Sequence, residues 1–240
     1  MAYDYTGYIT SLGGLMVVAT TDVNFAQIVP NIIDDAEQRI YRELDLLNTV
    51  VRDSSSGFAP GTRTFNLPAT LGTFYVVDSL YAITPALQTT PDAGTRNMLL
   101  PVSRSYLDAA FPSINGSGMP TYFAMTTQTS LIVGPWPDAL YQAEVVGTIH
   151  PASLSPTNTT TILTQYLPDL FLAASMVFGA AYLQNYGAAQ AVDNPGMGIT
   201  WESHYQALKQ SAAVEEARKK FNAEGWSSKQ PSQIATPPRT

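Results

Sequence analysis

Between Ile33 and Leu47 the apolar residues recur at steps of three and four. Ile33, Ala36, Ile40, Tyr41, Leu44 and Leu47 fall on one stripe, which predicts a helix over 31–47. Asp34, Asp35 and Glu37 come early in it and Arg39 and Arg42 later, the order the helix dipole favours. Pro30 suits the first turn, where its missing N–H costs little, and residues 22–29 extend the helix through a kink. A shorter helix is expected over 7–18, weakened by Gly13 and Gly14. From 54 the period changes. SSSGFAPG (54–61) reads as a loop, and strands are expected at 62–67, 74–83, 121–127, 130–135 and 141–149. In the last, Tyr141, Ala143, Val145, Gly147 and Ile149 alternate with Gln142, Glu144, Val146 and Thr148, a period of two. Pro135 to Asp138 forms the turn before it.

Helical spacing returns at 163–186 and at 200–223. The second helix carries Trp201, Tyr205, Leu208, Ala212 and Phe221 on its apolar face, with Thr200 as N-cap and Gly225 just past its end. Beyond Trp226 the chain is polar and Pro-rich without periodicity, a tail. These elements predict an α+β fold. Segments 1–53 and 161–225 build an α-helical bundle, 54–160 form an inserted, mostly antiparallel β-module, and 226–240 extend from it.

The chain has 240 residues, 45% of them apolar and 10% aromatic, enough to exclude an intrinsically disordered protein. Only 13% are charged, against roughly 25% in ordinary soluble proteins. No Lys or Arg lies between Arg104 and Lys209, while Asp108, Asp138, Glu144, Asp169, Asp193 and Glu202 all do, carrying most of the net charge of −7. A phosphate-gripping surface in that stretch is excluded, because neutralising phosphates needs cations. The absence of Cys excludes disulfides, thiolate zinc sites and a thiol nucleophile. The apolar run 170–183 is shorter than the roughly 20 residues of a membrane span and reads as a core helix. Residues 7–19 lack the basic flank of a signal peptide. No membrane association is expected.

Catalytic templates fail early. His150 and His204 are the only histidines, with nothing in their spacing to join them. GxSxG, HExxH and the phosphate-binding P-loop pattern are absent. Gly116-Ser117-Gly118 and Gly196-Met197-Gly198 lack the third Gly of a dinucleotide fingerprint and read as turns. Asp34, Asp35 and Glu37 sit on one helix start and diverge around its axis, so they read as a solvated acidic turn. The expectation is a protein without enzymatic activity, cofactor or metal.

Three stretches carry a resemblance. They are DVNFAQIVPNIIDDAEQRIYRELDLL at 22–47, LIVGPWPDALYQAEVVGTIHPASLSPTNTTT at 131–161, and 166–222, where an apolar helix opened by Pro-Asp is followed by Pro195, Trp201-Glu202 and Glu215-Glu216-Ala217-Arg218. In order and spacing they resemble the head-to-tail adaptor (connector) proteins of short-tailed bacteriophages. The resemblance implies a virion protein at the head–tail junction, assembled in the host cytoplasm. It also implies a homo-oligomeric ring, usually a dodecamer, between the capsid portal and the tail nozzle or tail fibre proteins, with dsDNA passing non-specifically through its channel. A C-terminal extension would pack on the portal, which puts Arg218, Lys219, Lys220, Trp226, Lys229, Ile234, Pro237, Pro238 and Arg239 on that contact. The β-module would face the tail, with Trp136, Asp138 and Tyr141 as nozzle-contact candidates. The alternative is a capsid-decorating or tail-associated module that recognises a receptor or glycan through exposed Trp136 and Tyr141. In the ring implied by the resemblance, the stretch without positive charge would mark subunit contacts and a non-adhesive channel wall.

Overall fold

The computed structural model describes residues 3–182 and 197–223. Helix α1 (Tyr5–Met16) starts where the Asp4 carboxylate accepts the Gly7 N–H at 2.7 Å. Tyr8, Leu12 and Met16, four residues apart, form its buried face. It ends on Val17, a valine in the left-handed region at φ 56°. Helix α2 (Val23–Glu43) is capped by Asp22, whose carboxylate accepts the Phe25 N–H at 2.9 Å. The expected extension over 22–29 is part of it, so Pro30 lies in the interior of one helix and not in a first turn. The carbonyl that loses its partner to Pro30 belongs to Ala26, an exposed residue that water reaches. The buried stripe runs Phe25, Val29, Ile32, Ile33, Ala36 and Ile40. It stops short of Leu47 because Leu44 turns extended.

Among the described residues nine strands follow: β1 (Val50–Asp53), β2 (Gly57–Phe58), β3 (Thr64–Asn66), β4 (Thr73–Thr84), β5 (Thr95–Met98), β6 (Leu100–Pro101), β7 (Tyr122–Met125), β8 (Ser130–Gly134) and β9 (Tyr141–His150). A short helix, α3 (Arg104–Ala110), sits between β6 and β7, with Ser103 as its cap. The last helices are α4 (Ile162–Tyr166), α5 (Pro168–Tyr182) and α6 (Met197–Ala223). The expected single helix from 163 is two helices, because Leu167 leaves the helical region ahead of Pro168. Thr200 lies inside α6 and is not its cap. Residues 183–186 and Gly225 lie outside the described residues.

The chain divides into two units. One comprises the residues up to Leu47 and from Ser153 onward; the other is Asn48–Ala152. In the helical unit, α1, α2, α5 and α6 surround a core in which Tyr8 stacks on Phe171 with ring centroids 4.5 Å apart. The apolar run of α5 is buried along most of its length, as a core helix requires. The β-unit holds two sheets. One is ordered β1-β9-β4-β5, with β2 also on β9, and the other β3-β8-β7-β6. Every pairing is antiparallel except β6 with β7. The five strands read from the sequence are β3, β4, β7, β8 and β9. Short β1, β2, β5 and β6 and helix α3 add to them. β9 is the spine of its sheet, and its odd positions from Tyr141 to Ile149 are buried as the alternation predicted.

The sequence placed the inserted module at 54–160, whereas the β-unit spans Asn48–Ala152. Pairing of Val50–Asp53 with β9 draws the earlier residues in, and burial of Leu154 in the helical core returns the later ones.

Candidate partner-binding surfaces

Three basic residues stand in the last turns of α6, where the sequence placed a partner contact. Lys219 is held by two carboxylates, Glu215 at 2.7 Å and Glu216 at 2.8 Å, which together raise its pKa. Lys220 pairs with Asp45. Arg218 is exposed and has no ion pair among the described residues. Glu216, only 6% exposed, also accepts the Leu47 N–H at 2.9 Å. Two of the three cations are thus committed to their own chain. Trp226, Lys229, Ile234, Pro237, Pro238 and Arg239 lie outside the described residues.

In the β-unit the turn between β8 and β9 carries the second set of candidates. Asp138 is exposed, but its carboxylate accepts the Tyr141 hydroxyl at 2.8 Å, and that bond pushes the phenol pKa up. Tyr141 itself belongs to the core, at 8% exposure among Phe58, Phe65 and Leu131. Its place in the inward set of β9 overrides the exposure that its nearness to the turn suggested. Trp136 is half-buried, and its indole N–H donates to the Phe111 carbonyl at 3.2 Å. Tyr106 on α3 is the more open aromatic, 47% exposed and edge-on to Tyr122 at 5.8 Å. The Ser103 cap three residues before Tyr106 was the available signal for that helix.

Charge is distributed differently in space than along the chain. Asp108 pairs with Arg63 at 2.7 Å, and Glu144 takes Arg96 at 2.9 Å and Arg52 at 3.2 Å. Glu202 receives both ends of the Arg39 guanidinium, at 2.6 and 2.8 Å, which holds its pKa at about 2. Asp169 accepts the Leu170 N–H at 2.9 Å. Cations from outside the positive-free stretch therefore reach in to neutralise Asp108, Glu144 and Glu202. Asp138 and Asp169 have no ion pair among the described residues, and Asp193 lies outside them.

Arg39 organises the polar side of the helical unit. Its guanidinium also meets Glu43 at 3.0 Å and lies over the Tyr205 ring, 4.2 Å from the centroid. Lys209 and the Tyr205 hydroxyl both reach Glu43 at 3.0 Å. Beside this network Asp35, Gln38, Arg42 and Phe178 complete the lining of an open cleft of about 290 Å³. His150 lies in the β-unit, with Nδ1 3.1 Å from the Pro151 carbonyl, and His204 lies in the helical unit, edge-on to Trp201. Asp34, Asp35 and Glu37 are not one solvated turn: Asp35 is exposed and Glu37 is in the core. Among the described residues no group of three or more His, Cys, Asp or Glu could hold a metal ion, and no helix is long and apolar enough to cross a membrane.

A helical unit interrupted by a two-sheet β-unit, with its ion pairs closed within the chain, defines an inserted-module α+β protein. The sequence model of the SU10 adaptor protein family matches residues 4–225, which takes in the whole β-unit and the helical unit apart from residues 1–3 and 226–240. The chain belongs to the SU10 adaptor protein family, consistent with a phage head–tail adaptor, and is a virion component. A search of curated proteins found no match.

Proposed function

We propose that this adaptor forms a ring, expected to be a dodecamer, that joins the capsid portal to the tail nozzle or tail fibre proteins and lines the path of DNA during ejection. It acts through assembly and not through catalysis, and it needs no cofactor. The observation that carries this reading is the family match over residues 4–225, which takes in the helical unit and the β-unit alike. The charge pattern supports it. Ion pairs already closed within the subunit lower the desolvation cost of burying surface against neighbouring copies, and an overall charge of −7 disfavours tight binding of duplex phosphates. Arg218 and the residues that follow it supply the portal contact.

Electron microscopy and native mass measurement of the full-length protein, alone and mixed with the portal, test the reading. Closed rings, or ring-on-ring complexes with the portal, are the expected result. A monomer that stays monomeric and ignores the portal ring overturns it. Truncation after Gly225 should weaken portal binding while leaving the circular dichroism spectrum unchanged.

A further inference from the structure

The chain passes between its two units twice, at Leu47–Asn48 and at Ala152–Ser153. On the helical side of each passage a buried glutamate accepts a backbone amide. Glu216 of α6 takes the Leu47 N–H at 2.9 Å, and Glu37 of α2 takes the Leu154 N–H at 3.1 Å. The two glutamates are 6% and 1% exposed. Each grip is reinforced one turn away on its own helix: Lys220 pairs with Asp45, and Asp34 accepts the Ser153 hydroxyl at 3.2 Å.

They differ in how the carboxylate is compensated. Glu216 has the Lys219 ammonium at 2.8 Å. Glu37 has no ion pair among the described residues, and its Oε2 has no hydrogen-bond partner among them. The groups turned toward it are neutral or acidic. They are Tyr8 from α1, Asp34 and Tyr41 from α2, and Ser153 from the returning segment. The only charged side chain that α5 carries is Asp169 at its first turn. Helix α6 brings Glu202 and Lys209 to α2, but onto Arg39 and Glu43.

We propose that these two glutamates anchor the two stems of the inserted unit, the Glu216 anchor fixed by its lysine and the Glu37 anchor releasable. Burial pushes the Glu37 pKa up to about 7. Releasing the 153–158 segment exposes the carboxyl to water, where it ionises in its ordinary range. Release is therefore coupled to proton loss and becomes easier as pH rises toward 7. The Glu216 anchor is held differently, with the Lys219 ammonium 2.8 Å from its carboxylate. The second stem is then the one able to give way while the first, next to the C-terminal end of α6, holds. The inference concerns the subunit alone and does not rest on the ring.

Amide hydrogen exchange of the full-length protein, resolved at Leu47 and Leu154 and corrected for intrinsic rates, tests it between pH 5.5 and 8. Protection at Leu154 should fall at least tenfold across that range while Leu47 stays constant. Glu37→Gln should flatten the Leu154 profile, and Lys219→Met should give Leu47 a pH dependence it lacks in the wild type. A Leu154 profile independent of pH, one that survives Glu37→Gln, or a parallel fall at both amides overturns the proposal. The wild-type comparison of the two amides decides even if a variant fails to fold.

Discussion

Glu37 in the helical unit and Glu144 in the β-unit are each 1% exposed, yet the units treat them oppositely. Glu144 lies under two arginines, with the Arg96 guanidinium on both of its oxygens and Arg52 on one of them. Glu37 faces a backbone amide and tyrosine rings. Burial is equal, so the neighbours decide whether a buried carboxylate is a tie or a liability. The same contrast runs through the packing. The β-unit closes backbone on backbone around β9, where Gly147 faces the Val76 carbonyl, whereas α1 and α5 meet through the adaptable side chain of Met16 against Gly179.

The largest effect expected from this contrast is at Gly147. A Cβ there would stand 2.1 Å from the Val76 carbonyl oxygen and 3.0 Å from the Val77 Cα, where β4 shifts register against β9. Both obstacles are backbone in a paired strand, so relief requires moving β4 itself. Gly147→Ala should destabilise the protein by about 3 kcal/mol, the upper end of ordinary overpacking costs. Urea denaturation measures it. A loss under about 1 kcal/mol would show that β4 and β9 slide apart readily and that the rigidity ascribed to this sheet is not there.

Matched Glu→Gln substitutions sharpen the comparison next. The Glu37 pKa of about 7 lies above that of an unfolded glutamate, so between roughly pH 4.5 and 7 the native state keeps a proton that the unfolded chain releases. Wild-type stability should therefore decline by about 3 kcal/mol as pH rises through that window and level off above it. Glu37→Gln should remove the decline and make the variant the more stable protein at pH 8. Glu144→Gln should act in the other direction, costing about 2 kcal/mol at pH 7 by removing the charge in its bonds to Arg96 and Arg52. Denaturation curves at pH 5, 6.5 and 8 for the three proteins check both signs. Two variants that shift alike would end the distinction drawn between the units.

What the sequence disclosed follows the range of the forces involved. The alternation of β9 and the apolar run of α5 are local patterns; β9 stands where it was read, while the helix read over 163–186 is parted at Leu167 into α4 and α5. Strands β2 and β6 have two residues each, too few to show a period, and exist because β9 and β7 offer them partners. The extension of the helix over 22–29 stands, while the placing of Pro30 in a first turn does not, because the rule against interior proline ignores whether the orphaned carbonyl can reach water. Tyr141 had two conflicting signals, a turn beside it and an inward register, and the register prevailed. Arg96 and Glu144 are 48 positions apart, and Arg39 and Glu202 163, so no reading along the chain could pair them. For the same reason the linear run without Lys or Arg did not show that Asp108, Glu144 and Glu202 within it have cations from elsewhere. The three stretches behind the adaptor resemblance lie inside the family match, because order and spacing are properties that a linear reading does see.

The smallest effect expected is at Gly179, the helical counterpart of Gly147. An added Cβ would approach the Met16 sulfur at 2.9 Å and its terminal methyl at 3.2 Å, with no backbone atom among its near neighbours. Met16 is 3% exposed, so it must move within the core and not into solvent. A thioether side chain with three rotatable bonds can do that at modest cost. Against that cost stands the gain of alanine over glycine inside a helix, about 1 kcal/mol. The two nearly cancel, so Gly179→Ala should lie within about 1 kcal/mol of the wild type and shift Tm by no more than about 3 °C. Calorimetry on the Gly147→Ala and Gly179→Ala proteins side by side makes the measurement. If Gly179→Ala proves as damaging as Gly147→Ala, Met16 is locked, and α1 and α5 are as unyielding as the strands. A small effect there beside a large one at Gly147 would place the adaptable packing of this protein in its helical unit.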